Sequence, residues 1–183
     1  MQLNQQTDFT HLSACKIAIL SDTHEELDER IIAIVKNCDI AIHAGDIGSR
    51  AVLESMQPKL EHIFAVCGNN DKPYLWEVKD WGLVKNLPQK LELLLTSGNI
   101  AIEHGHEHDM QKPGHNDLRA AHPNARVVIY GHTHIQVIDD EQSDQIVINP
   151  GAAGFTRNKG GPSCIVLSIV NDLWDFEVFK FSE

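Results

Sequence analysis

The chain has 183 residues, with 15 lysines and arginines against 26 aspartates and glutamates, and a formal net charge of −11 when its 11 histidines are neutral. That length suits one domain with a core large enough to need no covalent staples, and the acidity disfavours an extended nucleic-acid partner, whose binding rests on many basic contacts to phosphate. No apolar stretch is long enough to span a bilayer, and the opening MQLNQQTDFTHLSACK lacks the basic-then-apolar pattern of a signal peptide.

Residues 1–14 read as a polar leader ahead of a single domain over residues 15–183. Lys16–Leu20 is a short apolar run with β-formers, closed by Ser21-Asp22-Thr23-His24. Leu27, Ile31, Ile34 and Val35 recur at helical spacing on an otherwise charged segment and predict an amphipathic helix. Ile40–Ala44 predicts a second buried strand ending in Gly45-Asp46. Residues 49–57 predict a helix, and His62–Val66 a third strand ending in Gly68-Asn69-Asn70-Asp71. Strand, loop, helix and strand at this spacing predict right-handed crossovers and a parallel sheet.

Beyond Pro73 the pattern changes. In the segment Tyr74–Trp81, Trp76 and Trp81 are expected to anchor an amphipathic stretch to the core. Lys90–Leu95 and Ile100–Glu103 flank Thr96-Ser97-Gly98-Asn99, a hairpin signal. The stretch from Glu107 to His122 is rich in polar and charged residues. Val127–Tyr130, Gln136–Asp139 and Ile146–Asn149 predict further strands, followed by Ser163–Val170 and Trp174–Phe181. In the last of these Trp174, Phe176 and Val178 alternate with Asp175 and Glu177, the pattern of a strand with one wet face. The economical architecture is an α/β fold: an α-β-β-α sandwich of two packed mixed sheets flanked by helices. Cys15, Cys38, Cys67 and Cys164 are far apart in sequence and lie in or beside apolar runs, so buried reduced thiols and a cytoplasmic location are expected.

Five short runs carry the chemistry: Asp22-x-His24, Gly45-Asp46, Gly68-Asn69-Asn70-Asp71, His104-x-His106 and Gly131-His132-x-His134. Each falls at the end of an expected hydrophobic strand, where α/β folds collect function. Singly, each has an ordinary reading: Asp22 and Asp46 as loop or cap residues, the Asn-Asn-Asp run as a turn, His104 and His132 as loop histidines. Elsewhere, His43 is expected as a hydrogen-bonded core residue and His108 as part of a mobile charged loop. His11, His62, His115 and His122 are expected to face solvent. Together the runs offer enough oxygen and imidazole donors for two metal ions, and they predict a metal-dependent hydrolase. No Ser or Cys nucleophile stands out.

This motif series resembles the calcineurin-like metallophosphoesterases. The short length and the ending Asn149-Pro150-Gly151 are similar to their small bacterial and archaeal phosphodiesterase branch, which has a Vps29-like fold. The similarity runs over almost the whole chain from Lys16 onward. The resemblance implies an α/β sandwich in which Asp22, His24 and His134 hold one metal and Asp46 bridges to a second, whose ligands are completed by Asn69, His104 and His132. It implies a hydroxide between the ions as the nucleophile, attacking phosphorus in line with the leaving oxygen. Two divalent ions are therefore expected, manganese first, with iron, zinc, nickel or cobalt suited to the same donors. The expected partner is a small phosphate ester, with no membrane partner; homo-oligomerisation is left open.

Many relatives carry His after the motif's Asn, where this chain has Asn70. Weak action on phosphomonoesters with poor leaving groups follows, and better action on activated phosphodiesters, which need less acid assistance. His106 and Arg157 are read as substrate contacts, the guanidinium gripping phosphate oxygens. Two alternatives stand beside the phosphodiesterase reading. One is a nucleotidase or dinucleoside-polyphosphate hydrolase, with Trp76 or Trp81 stacked on a base. The other is a non-catalytic, Vps29-like protein-binding scaffold, against which the complete ligand set argues.

Overall fold

Alternate residues of the inner strands belong to different cores, and this alternation sets two sheets back to back with helices outside. The computed structural model describes residues 8–140 and 144–182. One sheet contains β1 (Asp8–Phe9), β5 (Lys90–Leu95), β6 (Gly98–Glu103), β7 (Ala125–Ile129), β8 (Val137–Asp139) and β9 (Ile146–Asn149), laid side by side as β1-β5-β6-β7-β9-β8. The other contains β2 (Ala14–Leu20), β3 (Ile40–His43), β4 (His62–Ala65), β10 (Ser163–Val170) and β11 (Leu173–Lys180), in the order β11-β10-β2-β3-β4. Both sheets are mixed: β2, β3 and β4 run parallel, as do β6, β7 and β9, while β10, β11 and the β5–β6 hairpin pair antiparallel.

Ile17, Ile19, Ile40, Ile42, Phe64, Ile165 and Leu167 face Leu93, Ile100, Ile102, Val127, Ile129 and Ile148 across the sandwich. Their neighbours Ala18, Leu20, Ala41, Ala65, Cys164 and Val166 turn outward. They meet α1 (Glu29–Val35), α2 (Arg50–Ser55) and α3 (Trp81–Lys85) through Ile31, Val35, Val52, Leu53 and Val84. On the far side, α4 (His115–Ala121) lays Leu118 on Ala101, Val128, Tyr130 and Val147. The period of two thus builds one central core and two outer ones. All four cysteines are free and buried. Burial pushes the thiols of Cys15 and Cys164 up to about 12, so they pack as apolar groups. Among the described residues no helix is long and apolar enough to cross a membrane.

Several expectations are corrected. The leader expected over residues 1–14 contributes to the fold from residue 8 onward; residues 1–7 lie outside the described residues. Asp8 and Phe9 pair in parallel with Leu94 and Leu95, and Phe9 is 1 % exposed, its ring edge-on to Phe64 at 5.7 Å and to His62 at 5.1 Å. A single aromatic in a polar run gave no periodicity to read. For the same reason α4, with only Leu118 as a large buried apolar residue, has no counterpart in the sequence reading. Trp76 is buried as expected, but Trp81 is 37 % exposed; it donates its indole N–H to the Trp76 carbonyl at 3.2 Å, and Lys85 Nζ lies 5.5 Å above its ring.

The histidines outside the motifs are more engaged than expected. His62 is half-buried against Phe9. His108 is not in a free loop: its Nε2 lies 2.7 Å from Oε1 of buried Glu103, which Lys90 and His122 also approach. His115 sits between Asp139 (2.6 Å) and the Tyr130 hydroxyl (2.9 Å), clamping the start of α4 to the sheet. A buried carboxylate or phenol needs polar partners, and these imidazoles supply them. Only His11 is exposed as expected.

If residues 8 and 9 belong to the core, Phe9→Ala should lower unfolding stability by about 3–5 kcal/mol, read as a lower urea midpoint. An unchanged midpoint would return these residues to the leader.

Candidate metal centre

The parallel strands of both sheets deliver their carboxyl ends to one rim, and every motif residue follows one of those ends. Asp22 lies two residues beyond β2, Asp46 three beyond β3 and Asn69 four beyond β4; His104 follows β6 directly, and His132 and His134 follow β7. The loops are tied to one another by their own backbone. Asp22 N donates to Gly45 O, His24 N to Asp46 O and Glu25 N to Ile47 O, each at 3.0 Å, and Gly131 N donates to His104 O at 3.2 Å. Asp22, His24, Asp46, His132 and His134 all adopt left-handed backbone, with φ between 45° and 69°, a conformation that costs a non-glycine residue free energy and persists only where surroundings impose it. A Cβ at Gly68 would collide with the backbone N and Oδ1 of Asp46, and one at Gly131 with Ser21 Oγ. Both glycines are required by close approach.

Two clusters of donor atoms result. Asp22, His24 and His134 form one: the two Nε2 atoms are 3.2 Å apart, and His134 Nε2 is 3.4 Å from Asp22 Oδ1. Asp22, Asp46 and His104 form the other, with His104 Nε2 at 3.4 Å from Asp46 Oδ2 and 4.0 Å from Asp22 Oδ1. Asn69 Oδ1 joins the second cluster, 3.2 Å from His104 Nε2 and 3.0 Å from His132 Nδ1. Asp46 Oδ2 also lies 3.8 Å from His24 Nε2, so one carboxylate faces both groups. Two ligands about 2.1 Å from a common ion at a tetrahedral angle stand about 3.4 Å apart, close to these spacings.

The far side of each ring decides whether these atoms suit a metal. Nδ1 of His104 lies 2.7 Å from Ala44 O, Nδ1 of His134 3.1 Å from Thr156 O, and Nε2 of His132 2.9 Å from Met110 O. A carbonyl only accepts, so each of those nitrogens carries a proton, and the other is the one that can give a lone pair to an ion, in His104 once its second proton has left. Metal-binding histidines are oriented in this way. The donor set therefore fits divalent metal ions, with no thiolate among its atoms.

Electrostatics agree. Burial lowers His134 to about 4 and His43 to about 3, and lowers His24, His132 and His106 as well, keeping these imidazoles neutral. His104 goes the other way: burial alone would lower it, yet Asp46 and Asp22 raise it to about 9. Burial pushes Asp22 up to about 7 against the pull of His104. Asp46, which burial also pushes up, is held below the usual carboxylate range by His104 and by Asn70, which donates its backbone N–H at 2.8 Å and its Nδ2 at 2.7 Å.

The supporting residues follow the same logic. Asp71 accepts the N–H groups of Ile47, Gly48 and Gly68, bracing two ligand loops, and His43 Nε2 meets Thr23 Oγ1 at 2.9 Å. His106 is half-buried, its ring 5.4 Å from that of His104 and 6.2 Å from that of His132, with Nδ1 lacking a hydrogen-bond partner. Arg157 is exposed and reaches His24 Nε2 at 3.4 Å. Sequence reasoning missed the carbonyls of Ala44, Met110 and Thr156, since a backbone acceptor leaves no trace in residue type. It also missed Glu25 and Leu75, which line a recess beside His24 and Asn70.

The chain is similar to characterised proteins over this whole region. Residues 15–172 match the model of the calcineurin-like phosphoesterase superfamily domain. A phosphodiesterase of Methanocaldococcus jannaschii is 32 % identical over 150 residues, covering 74 % of this chain and 82 % of the relative. Among solved structures, an archaeal phosphodiesterase superposes with a TM-score of 0.63 at 28 % identity, covering 90 % of this chain and 99 % of the other. Vps29 of Entamoeba histolytica superposes with a TM-score of 0.69 at 14 % identity over 91 % of this chain and 99 % of its own, a likeness of fold. The chain belongs to the calcineurin-like phosphoesterase superfamily, and its relatives named phosphodiesterase and metallophosphoesterase mark it as a metal-dependent phosphoester hydrolase.

Proposed function

We propose that the chain is a dinuclear metal-dependent phosphodiesterase acting on a small phosphate ester. The observation that carries this reading is the pair of adjoining donor clusters that share buried Asp22, with Asp46 of one cluster 3.8 Å from His24 of the other and three imidazoles locked by backbone carbonyls. Asp22, His24 and His134 would hold one ion and Asn69, His104 and His132 the other, with Asp46 facing both. Two divalent ions there, manganese first among the candidates, would supply an activated water as nucleophile and neutralise charge growing on the phosphoryl oxygens.

The chain's own residues do the rest. Asn70 orients Asp46 through two hydrogen bonds, and its amide offers a neutral donor where an imidazolium would offer a proton. The leaving alkoxide therefore departs without strong acid help, which favours activated diesters over monoesters such as phosphoserine. His106, half-buried beside His104 and His132, and Arg157, beside His24, would contact the phosphoryl oxygens.

Metal-stripped protein should hydrolyse bis-p-nitrophenyl phosphate only after divalent metal, such as manganese, is added. Asp46→Asn should lose roughly a hundredfold or more, since even the outer partners of metal ligands are worth about 10–100-fold. Folded protein inactive with every divalent metal would overturn the reading in favour of the scaffold.

Asn70→His should raise the ratio of monoesterase to diesterase activity by roughly tenfold or more. A ratio that does not move would remove the acid-assistance argument.

Metal uptake should also release protons. His104 is raised to about 9 and therefore protonated at neutral pH, and its Nε2 must give up that proton to bind a cation. Affinity should accordingly rise as pH climbs toward 9. Calorimetric titration at pH 7 in buffers of different ionisation enthalpy should show proton release on metal binding; none would contradict the assignment of His104.

A further inference from the structure

The donor clusters do not stand alone on the rim. Beside them opens a recess of about 230 Å³ lined by His24, Glu25, Gly48, Asn70, Leu75 and Arg157. Two of its walls, His24 and Asn70, belong to the metal centre or touch it. The other side chains that define it differ in kind. Leu75 is a large aliphatic group left 51 % exposed on the turn after Asn70-Asp71, Glu25 is an exposed carboxylate, and Arg157 is an exposed guanidinium. Further apolar groups stand next in sequence to two of these residues: Tyr74, 76 % exposed, beside Leu75, and Phe155, 54 % exposed, two residues before Arg157.

Size, charge and shape together define an occupant. An apolar cavity of about 150 Å³ already accepts benzene, so this recess holds one ring-sized group and not a polymer. One guanidinium and one carboxylate leave it near neutrality, so a polyphosphate tail would find a single cation opposed by an anion. That counts against a dinucleoside polyphosphate. A planar guanidinium and an aliphatic side chain lining one recess suit a flat ring, stacked on the first and packed on the second. Arg157 can serve it while keeping its phosphoryl contact, because a guanidinium stacks through its face and donates through its edge. His24 Nε2 has one lone pair, and when that pair is given to a metal it no longer accepts from Arg157.

We propose that this recess is the subsite for one organic substituent of the ester, and that it selects a flat aromatic or heteroaromatic group, packed between Arg157 and Leu75, over a small alkyl group. The inference rests on the phosphodiesterase reading above and names the substrate class of that same site. Glu25 adds a preference for rings bearing an N–H or O–H donor on the edge that faces it.

Phosphonates test the subsite without turnover, since each carries a single organic group on its phosphoryl centre. Binding of phenylphosphonate, cyclohexylphosphonate and methylphosphonate to manganese-loaded protein would be measured by calorimetry and as inhibition of bis-p-nitrophenyl phosphate hydrolysis. Phenylphosphonate should bind about tenfold tighter than methylphosphonate, the scale of a small apolar contact in a pocket. It should bind about two- to fivefold tighter than cyclohexylphosphonate, the scale of an exposed cation–π contact. Leu75→Ser should shrink the phenyl-to-methyl ratio while leaving methylphosphonate nearly unchanged, and Arg157→Ala should bring the phenyl-to-cyclohexyl ratio to about one. Both side chains are exposed, so neither variant threatens folding. Equal binding of phenyl- and methylphosphonate would overturn the subsite and leave the phosphodiesterase reading standing. Binding of none of the three overturns the subsite alone if metal-dependent hydrolysis persists, and both readings if it is absent.

Discussion

Two carboxylates, Asp22 and Asp46, lie buried together under the carboxyl ends of the strands, and the rest of the site is arranged around keeping them there. Unpaired charges in such a place are costly. Asp46 is satisfied by Asn70 and His104, and Asp22 by the backbone N–H of His132 at 3.0 Å. Burial still raises Asp22 to about 7, so these contacts leave its charge incompletely compensated. A site that holds excess negative potential in a dry setting is one that a divalent cation completes.

The sandwich makes this possible because the residues come from both sheets. His104 and His132 follow strands of one sheet, Asp22 and Asp46 strands of the other, and contacts such as His104 Nδ1 to Ala44 O and His132 N to Asp22 join them. The spacing of donor atoms therefore depends on how the two inner faces pack, through Ile19, Ile42, Ile102 and Ile129. Catalytic geometry is sensitive to displacements of about 1 Å, so the central core is part of the site's precision as well as of its stability.

Much of this was legible in the chain. Strands β2, β3, β4, β6 and β7 were readable because each is a run of apolar residues followed by polar turn residues, and the five motifs could be seen to share a rim because each follows one of those runs. What the sequence concealed has a common physical cause. The carbonyls of Ala44, Met110 and Thr156 orient three imidazoles through atoms that every residue possesses. Phe9 enters the core from a polar segment, and α4 is held by His115 and Arg119 on Asp139 in addition to the apolar Leu118. Those polar clamps explain why histidines expected in solvent are half-buried: they satisfy Asp139, Tyr130 and Glu103 from elements distant in sequence, and distance in sequence hides them.

The same accounting bears on whether the fold serves here as an enzyme or as a docking scaffold. Five motif residues sit in left-handed backbone, each at a cost of order 1–3 kcal/mol, and two carboxylates are buried among them. None of this supports the central core, which is built from the strand interiors. A protein that used only its outer surfaces would be more stable with glycine at these positions and without buried charge. The strain instead points His24, His132 and His134 inward with Asp22 and Asp46, beside His104 and Asn69, at spacings that suit shared ions. The chain's overall acidity then has a local exception: a centre able to gather several positive charges, with Arg157 at its lip, inside a molecule that repels long polyanions. On the proposed reading such a field would admit a compact monoanionic diester and discourage a nucleic acid, which is the discrimination that a small-molecule phosphodiesterase requires.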